Sequence, residues 1–229
     1  MAIGIIGAMD EEVAYLKKQM TDKKTDTVAG ALFIQGVLNS KQVILVKSGI
    51  GKVNAAMTAT ILMEKFNPTA IINTGTAGGF SEQLEVADLV IGEESVHHDV
   101  DVTGFDYAYG QVPGMPERYQ ADKTLVDTAY KVLERLDIRH KAGLIATGDT
   151  FMNQTDKINL VQSRFPDLIA MEMEAAAIAQ VSYQYNKPFI IVRALSDIAG
   201  KDAPMSFNHF VDIASKNAAH FIMEMLDNM

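Results

Sequence analysis

Apolar residues along the chain gather into short unbroken runs, separated by longer stretches in which they recur every three or four positions. The runs "AIGIIGA" (2–8), "TAIINTGTAGG" (69–79), "ADLVIGEESV" (87–96), "HKAGLIATGD" (140–149), "DLIAME" (167–172) and "PFIIVRALSD" (188–197) have the length of buried strands. "ALFIQGVL" (31–38) and "KQVILVKSG" (41–49) flank Asn39-Ser40 and predict a hairpin. The helical stretches are "MDEEVAYLKKQM" (9–20), with acid in its first turn, and "GKVNAAMTATILMEKF" (51–66), stopped before Pro68. Further helices are predicted at "DKTLVDTAYKVLERL" (122–136), "MEAAAIAQVSYQY" (173–185) and "SFNHFVDIASKNAAHFIMEML" (206–226). Residues 97–120, rich in Gly, Pro and Tyr, read as one long loop. Strands alternating with helices predict an α/β sandwich around a largely parallel, buried sheet. No linker, low-complexity segment or solenoid repeat divides the chain, so residues 1–229 read as one domain.

Composition narrows the function. A chain of 229 residues with 48% hydrophobic content can bury a sizeable core. A net charge of -9 argues against nucleic-acid or anionic-membrane partners. The absence of cysteine excludes disulfides and thiolate chemistry. "MAIGIIGAMDEEV" lacks the basic start of a signal peptide, and no apolar run approaches the roughly 18 residues of a membrane span. A soluble, cytoplasmic protein is expected.

In a parallel α/β sheet, ligands bind beyond the carboxyl ends of the strands. Here those ends carry polar residues: Met9 and Asp10-Glu11-Glu12, Thr76 with Gly78 and Gly79, Asp149-Thr150-Phe151, Glu172 and Glu174, and Ser196-Asp197. Converging on one edge, they would line a cleft for a small, neutral, polyhydroxylated ligand with an apolar part. Each has a plainer reading. Glu12 suits an exposed first helical turn, Glu174 the start of an Ala-rich helix, and Asp197 a cap or turn. Arg193, inside an apolar strand, is either half-exposed on an edge or paired inside. Met9, Phe105, Tyr107, Phe151, Met152, Met173 and Phe207 are residue types that usually fill a core. "HHDVD" (97–101) has metal-ligand types but reads as ordinary loop polarity. "SGIGK" (48–52) lacks P-loop spacing, and "GIIG" (4–7) is not a dinucleotide fingerprint.

The segments "IGIIGAMDEEV", "SGIGKVNAA", "IINTGTAGG", "HHDVDVTGFDYAYGQVPG", "TGDTF", "MEMEAAAIA" and "VRALSDIA" stand in order along nearly the whole chain. Together they resemble the 5′-methylthioadenosine/S-adenosylhomocysteine nucleosidases of the nucleoside phosphorylase superfamily. The resemblance implies hydrolysis of an N-glycosidic bond, releasing adenine and a 5-thioribose. It further implies a mixed, barrel-like sheet, a homodimer, and neither metal nor organic cofactor. By position, Asp197 would protonate adenine at N7, and Glu12 would activate water. Glu174 would grip the ribose hydroxyls beside the Met173 backbone, held anionic by a helix dipole. Phe151 would stack on adenine and the Met152 backbone read its edge. Arg193 and Thr76 would lie near water and sugar, with Ser196 and Gly78 among the substrate contacts. Met9, Ile50, Phe105, Tyr107, Pro113 and Phe207 would line the 5′-thio pocket, part of the 97–116 loop coming from a neighbouring subunit. Thr76 and Thr147 stand where the family pattern has serine. Glu172 receives no role beyond a supporting one.

The residues suit that chemistry. An oxocarbenium-like sugar calls for two carboxyls on opposite faces, one of them kept protonated by an apolar setting. A phosphorolytic relative would need a cluster of cations. The chain has five arginines, of which Arg193 alone lies in a site motif, and acidic Glu12 would repel phosphate. A non-catalytic nucleoside-binding module would not need acids on both sides of a ribose.

Overall fold

A computed structural model describes residues 2–80, 84–198 and 203–229. Among these residues ten strands run β1 (Ile3–Gly7), β2 (Thr21–Val28), β3 (Ala31–Leu38), β4 (Lys41–Lys47), β5 (Ala70–Gly79), β6 (Leu89–His97), β7 (Tyr119–Gln120), β8 (His140–Thr147), β9 (Leu168–Glu172) and β10 (Phe189–Ile198). Among the same residues six α-helices accompany them: α1 (Asp10–Gln19), α2 (Lys52–Phe66), α3 (Lys123–Leu136), α4 (Thr155–Arg164), α5 (Ala175–Gln184) and α6 (Ala203–Asp227), with a single 3-10 turn at Thr103–Phe105.

The strand order is β10-β6-β8-β9-β5-β1-β4-β3-β2, and β10 pairs with β5 as well as β6. Strands β5, β10, β6, β8 and β9 therefore close into a barrel, and β1, β4, β3 and β2 extend from β5 as an open wing. The sheet is mixed. β10 runs parallel to β5, β6 to β8 and β8 to β9, while β10–β6 and β5–β9 are antiparallel seams. The helices make the outer layers. Ile3 and Ile5 of β1 pack toward α1, α3 and α6, and Ile6 toward α2 and α5, as period-two alternation requires.

The hairpin is β3–β4, with Asn39 and Ser40 at φ of 44° and 62°, a two-residue turn in the left-handed region. Asp122 caps α3 by accepting the Leu125 N–H at 3.0 Å. Three elements carry no apolar rhythm in the sequence. β2, "TDKKTDTV", is an almost wholly polar edge strand held by β3 alone. α4 buries only Ile158 and Val161. β7 is two residues long and interrupts the 97–120 loop by pairing with β6.

Candidate active site

Arg193 fills one end of the barrel. It is wholly buried, not on an exposed edge, and a buried guanidinium requires acceptors. Its Nη2 donates to Glu172 Oε2 at 2.5 Å and to Asn73 Oδ1 at 2.7 Å, and its Nη1 to the Thr76 carbonyl at 3.3 Å. Glu174 Oε2 lies 3.6 Å from Nη2, and Glu12 Oε1 4.0 Å from Nη1. One cation thus faces three carboxyls carried by α1, β9 and the N-terminal end of α5.

Each carboxyl is fixed differently. Glu12 stands in the first turn of α1, as the acidic triplet suggests, but it points inward and is buried. Its Oε2 accepts the backbone N–H groups of Ala8 and Met9 at 2.7 and 3.1 Å. Its Oε1 accepts the N–H and the hydroxyl of Thr76 at 2.8 and 3.2 Å. Gly75, at φ 149°, lets β5 pass this close: a Cβ there would stand 2.4 Å from both Glu12 Oε1 and Arg193 Nη1. Glu172 caps α5. Its Oε2 accepts the N–H groups of Glu174 and Ala175 at 2.9 and 2.8 Å, donors that a helix start leaves without intrahelical partners. Thr147 donates its hydroxyl to Glu172 Oε1 and accepts the Ala176 N–H at 2.8 Å. Glu172 is therefore the supporting residue that holds both Arg193 and the start of α5.

Glu174 departs from expectation. Its side chain makes no cap to α5 and reaches across to accept the Gly51 N–H, at the N-cap of α2, at 2.9 Å. Burial, and then the neighbouring Glu172 carboxylate, push its pKa up to about 8, against the opposing pull of Arg193 and the Gly51 N–H. An anionic Glu174 held by the α5 dipole is thus corrected: the helix end it meets is that of α2, and desolvation outweighs it.

Asp197 is neither a cap nor a turn residue. It lies within β10, where the register against β5 shifts between Leu195 and Asp197. Burial raises its pKa, against the bond that Ser196 Oγ donates to its Oδ1 at 2.8 Å.

A cavity of about 400 Å³ opens over this cluster. Glu12, Thr76, Glu172, Glu174, Ser196, Asp197 and Asn208 supply its polar lining. Met9, Ile50, Phe151, Met173 and Phe207 are apolar lining, and Gly78 presents bare backbone. Phe151 meets Phe207 edge-on, with ring centroids 5.9 Å apart. An adjoining recess of about 40 Å³ shares Gly78, Phe151, Met173 and Asp197 and adds Met152. A wider groove of about 860 Å³ lies where β8 and β9 begin, and its carboxylates are already paired: Glu94 and Asp167 with Arg118, Glu93 with Tyr130 and Asp127 with Lys123. The smaller cavity is the one that sets unlike carboxyls facing a common space.

The model of the phosphorylase superfamily matches residues 2–227. A 5′-methylthioadenosine/S-adenosylhomocysteine nucleosidase of Oceanobacillus iheyensis is 57% identical over 226 residues, covering 99% of both chains. One from Geobacillus kaustophilus is 54% identical and covers 100% of this chain and 98% of its own. The chain belongs to this nucleosidase family. Its fold superposes on the Neisseria meningitidis nucleosidase, solved in complex with methylthio-immucillin-A, with a TM-score of 0.98 at 39% identity, covering 100% of this chain and 99% of the other.

Most of the expected site residues converge. Arg193 does so from beneath, in contact with the acidic residues rather than the cavity. Phe105, Tyr107 and Pro113 do not: Phe105 is 79% exposed, Pro113 is exposed, Tyr107 is half-buried, and none lines the cavity of its own chain. None of the seven methionines and aromatics with a possible core role is fully buried. His97 and His98 are buried but part ways: His97 Nε2 pairs with Gln180, while Asp99 turns to Lys52 and Asp101 to Thr103. Among the described residues no group of three or more such side chains could hold a metal. The "VRALSDIA" segment is described up to Ile198, and its Ala199 lies outside the described residues. Ala8, Met171 and Asn208 line the cavity, and Asn73 and Gly75 support it, without any signal in the sequence beyond their place at strand ends and in the final helix.

Proposed function

We propose that this cavity hydrolyses the N-glycosidic bond of 5′-methylthioadenosine and S-adenosylhomocysteine, releasing adenine and the corresponding 5-thioribose. The observation that carries it is one cavity lined by two carboxyls of opposite character. Asp197 is biased toward its protonated form by burial, while every contact of Glu12 uses its oxygens as acceptors. In this reading Asp197 gives its proton to N7 of adenine as the bond from sugar C1′ to N9 breaks and its electron pair passes to the purine. Water adds to C1′ and yields its proton to Glu12. The Thr76 hydroxyl can rotate aside to leave Glu12 an oxygen lone pair for that water. Glu174 meets the ribose hydroxyls, Phe151 and Met152 the purine, and Met9, Ile50 and Phe207 the 5′-thio substituent. Arg193 keeps three acidic side chains in place.

Phosphorolysis fits less well. Among the described residues Arg193 is the cation within the cluster, and its Nη1 and Nη2 are engaged by Thr76, Asn73 and Glu172. A homodimer belongs to the same proposal. Ile50, just before α2, and Val53 and Met57 in its first turns are 50, 77 and 39% exposed, and Phe105, in the 97–116 loop, is 79% exposed. Apolar residues so exposed favour a partner surface. A second copy would bury them, and the partner's 97–116 loop would then complete the 5′-thio pocket. Among the described residues no helix is long and apolar enough to cross a membrane.

Asp197→Asn tests the acid. It keeps the shape and removes the proton donor, so kcat falls by about 10²- to 10⁴-fold while nucleoside affinity changes little. Turnover near that of the unsubstituted chain would remove Asp197 from the mechanism.

A further inference from the structure

Lys52, Asp99 and Asp149 close a ring outside the cavity. Lys52 Nζ donates to Asp99 Oδ1 at 2.5 Å, Asp99 Oδ2 accepts the Asp149 N–H at 3.1 Å, and Asp149 Oδ1 accepts the Lys52 N–H at 2.8 Å. The ring joins three segments distant in sequence: the first residue of α2, the turn after β6 and the turn after β8. None of the three residues lines the cavity. An ordinary surface ion pair contributes about 0–1 kcal/mol. This one is more than that, because two of its three links are carboxylate bonds to backbone N–H groups, which fix chain position rather than side-chain position.

The surroundings tighten it. Gly51, at φ 95°, would place a Cβ 3.0 Å from Asp149 Oδ1, so a bare backbone lets the carboxylate reach the start of α2. The His98 imidazole is buried against Gly148, where a Cβ would stand 2.2 Å from its Nε2. Although burial opposes it, the Lys52 ammonium and the Asp149 N–H hold Asp99 below the usual carboxylate range.

A site residue stands on either side of the ring. Gly51, immediately before Lys52, donates its N–H to Glu174 Oε1 at 2.9 Å. Phe151, two residues after Asp149, lines the cavity. We propose that Lys52, Asp99 and Asp149 are positioning residues that set the purine-binding segment 148–152 at a fixed place against the sugar-gripping carboxyl of Glu174. The inference rests on the nucleosidase reading of the cavity.

The test compares Asp149→Ala, Asp149→Asn and Lys52→Met with the unsubstituted enzyme, using 5′-methylthioadenosine hydrolysis and the affinity for adenine. Adenine has no ribose, so its affinity reports the purine segment alone. Asp149→Ala raises KM and weakens adenine by about ten-fold each, the worth of one charge-assisted hydrogen bond, with a smaller change in kcat. Asp149→Asn keeps an oxygen to accept the Lys52 N–H and restores most of both values. Lys52→Met keeps the backbone bonds and raises KM less than Asp149→Ala does. Unchanged KM and adenine affinity in Asp149→Ala would overturn the inference, as would an asparagine variant as impaired as the alanine. If Asp149→Ala does not fold, Lys52→Met decides: a raised KM with weakened adenine supports the ring, and unchanged values refute it. An unsubstituted enzyme without hydrolytic activity would instead reject the function proposed for the cavity.

Discussion

Glu174 shows how far a single side chain's behaviour depends on neighbours that a sequence does not display. Its place after an apolar strand marks it as a site residue, and its cavity lining agrees. Its proton is decided first by burial and then by Glu172, Arg193 and Gly51, which arrive from β9, β10 and the start of α2. The consequence for stability has a definite sign. In the unfolded chain Glu174 ionises near 4.5, but in the folded chain it keeps its proton to about 8. Between these values the folded state binds the extra proton, so this group's contribution to stability falls as pH rises through that window. Glu174→Gln removes the titration. The wild type should lose stability relative to the variant by up to about 1.4 kcal/mol per pH unit across the window. Denaturant midpoints at a series of pH values measure this, and parallel curves for the two proteins would show that Glu174 holds no such proton. Glu172 was hidden for the same reason. Alone it is one more acid in "MEME"; its helix-capping role exists only once β9 delivers it to the first N–H groups of α5 beside Thr147.

Elements were legible in proportion to the apolar surface they bury. β1, β5, β6 and β10 are largely runs of buried residues, as is the second half of β8, and the ends of β1, β5 and β10 carry Glu12's turn, Thr76 and Asp197 to one cavity. The same logic fails for β2 and α4, whose exposed faces leave almost no rhythm to read. Closure was also beyond periodicity. A strand buried on both faces looks alike in an open sheet and in a barrel, and the antiparallel seams β10–β6 and β5–β9 depend on long-range pairing. The register shift before Asp197 is a further case: "RALSD" reads as a continuous strand, but the irregularity opposite Ala77 and Gly78 alters the alternation just where the acid is needed.

At the scale of the whole molecule, the exposed Val53 and Met57 of α2 and the 97–116 loop remain outside the cavity of their own chain. If a second copy covers them, a charge placed there should separate the copies. Val53→Asp, at a position 77% exposed, is expected to leave the fold intact, shift the particle toward the monomer in light scattering, and weaken thio-nucleoside binding far more than adenine binding. A fully active monomer would contradict the dimer and the loop's part in the pocket. The most direct test of the whole proposal is the fate of 5′-methylthioadenosine with and without inorganic phosphate. A hydrolase in which Arg193 is already committed to its own acidic neighbours releases adenine and free 5-methylthioribose at the same rate in both buffers. Turnover that requires phosphate and yields a ribose 1-phosphate, or no adenine release at all, would contradict it.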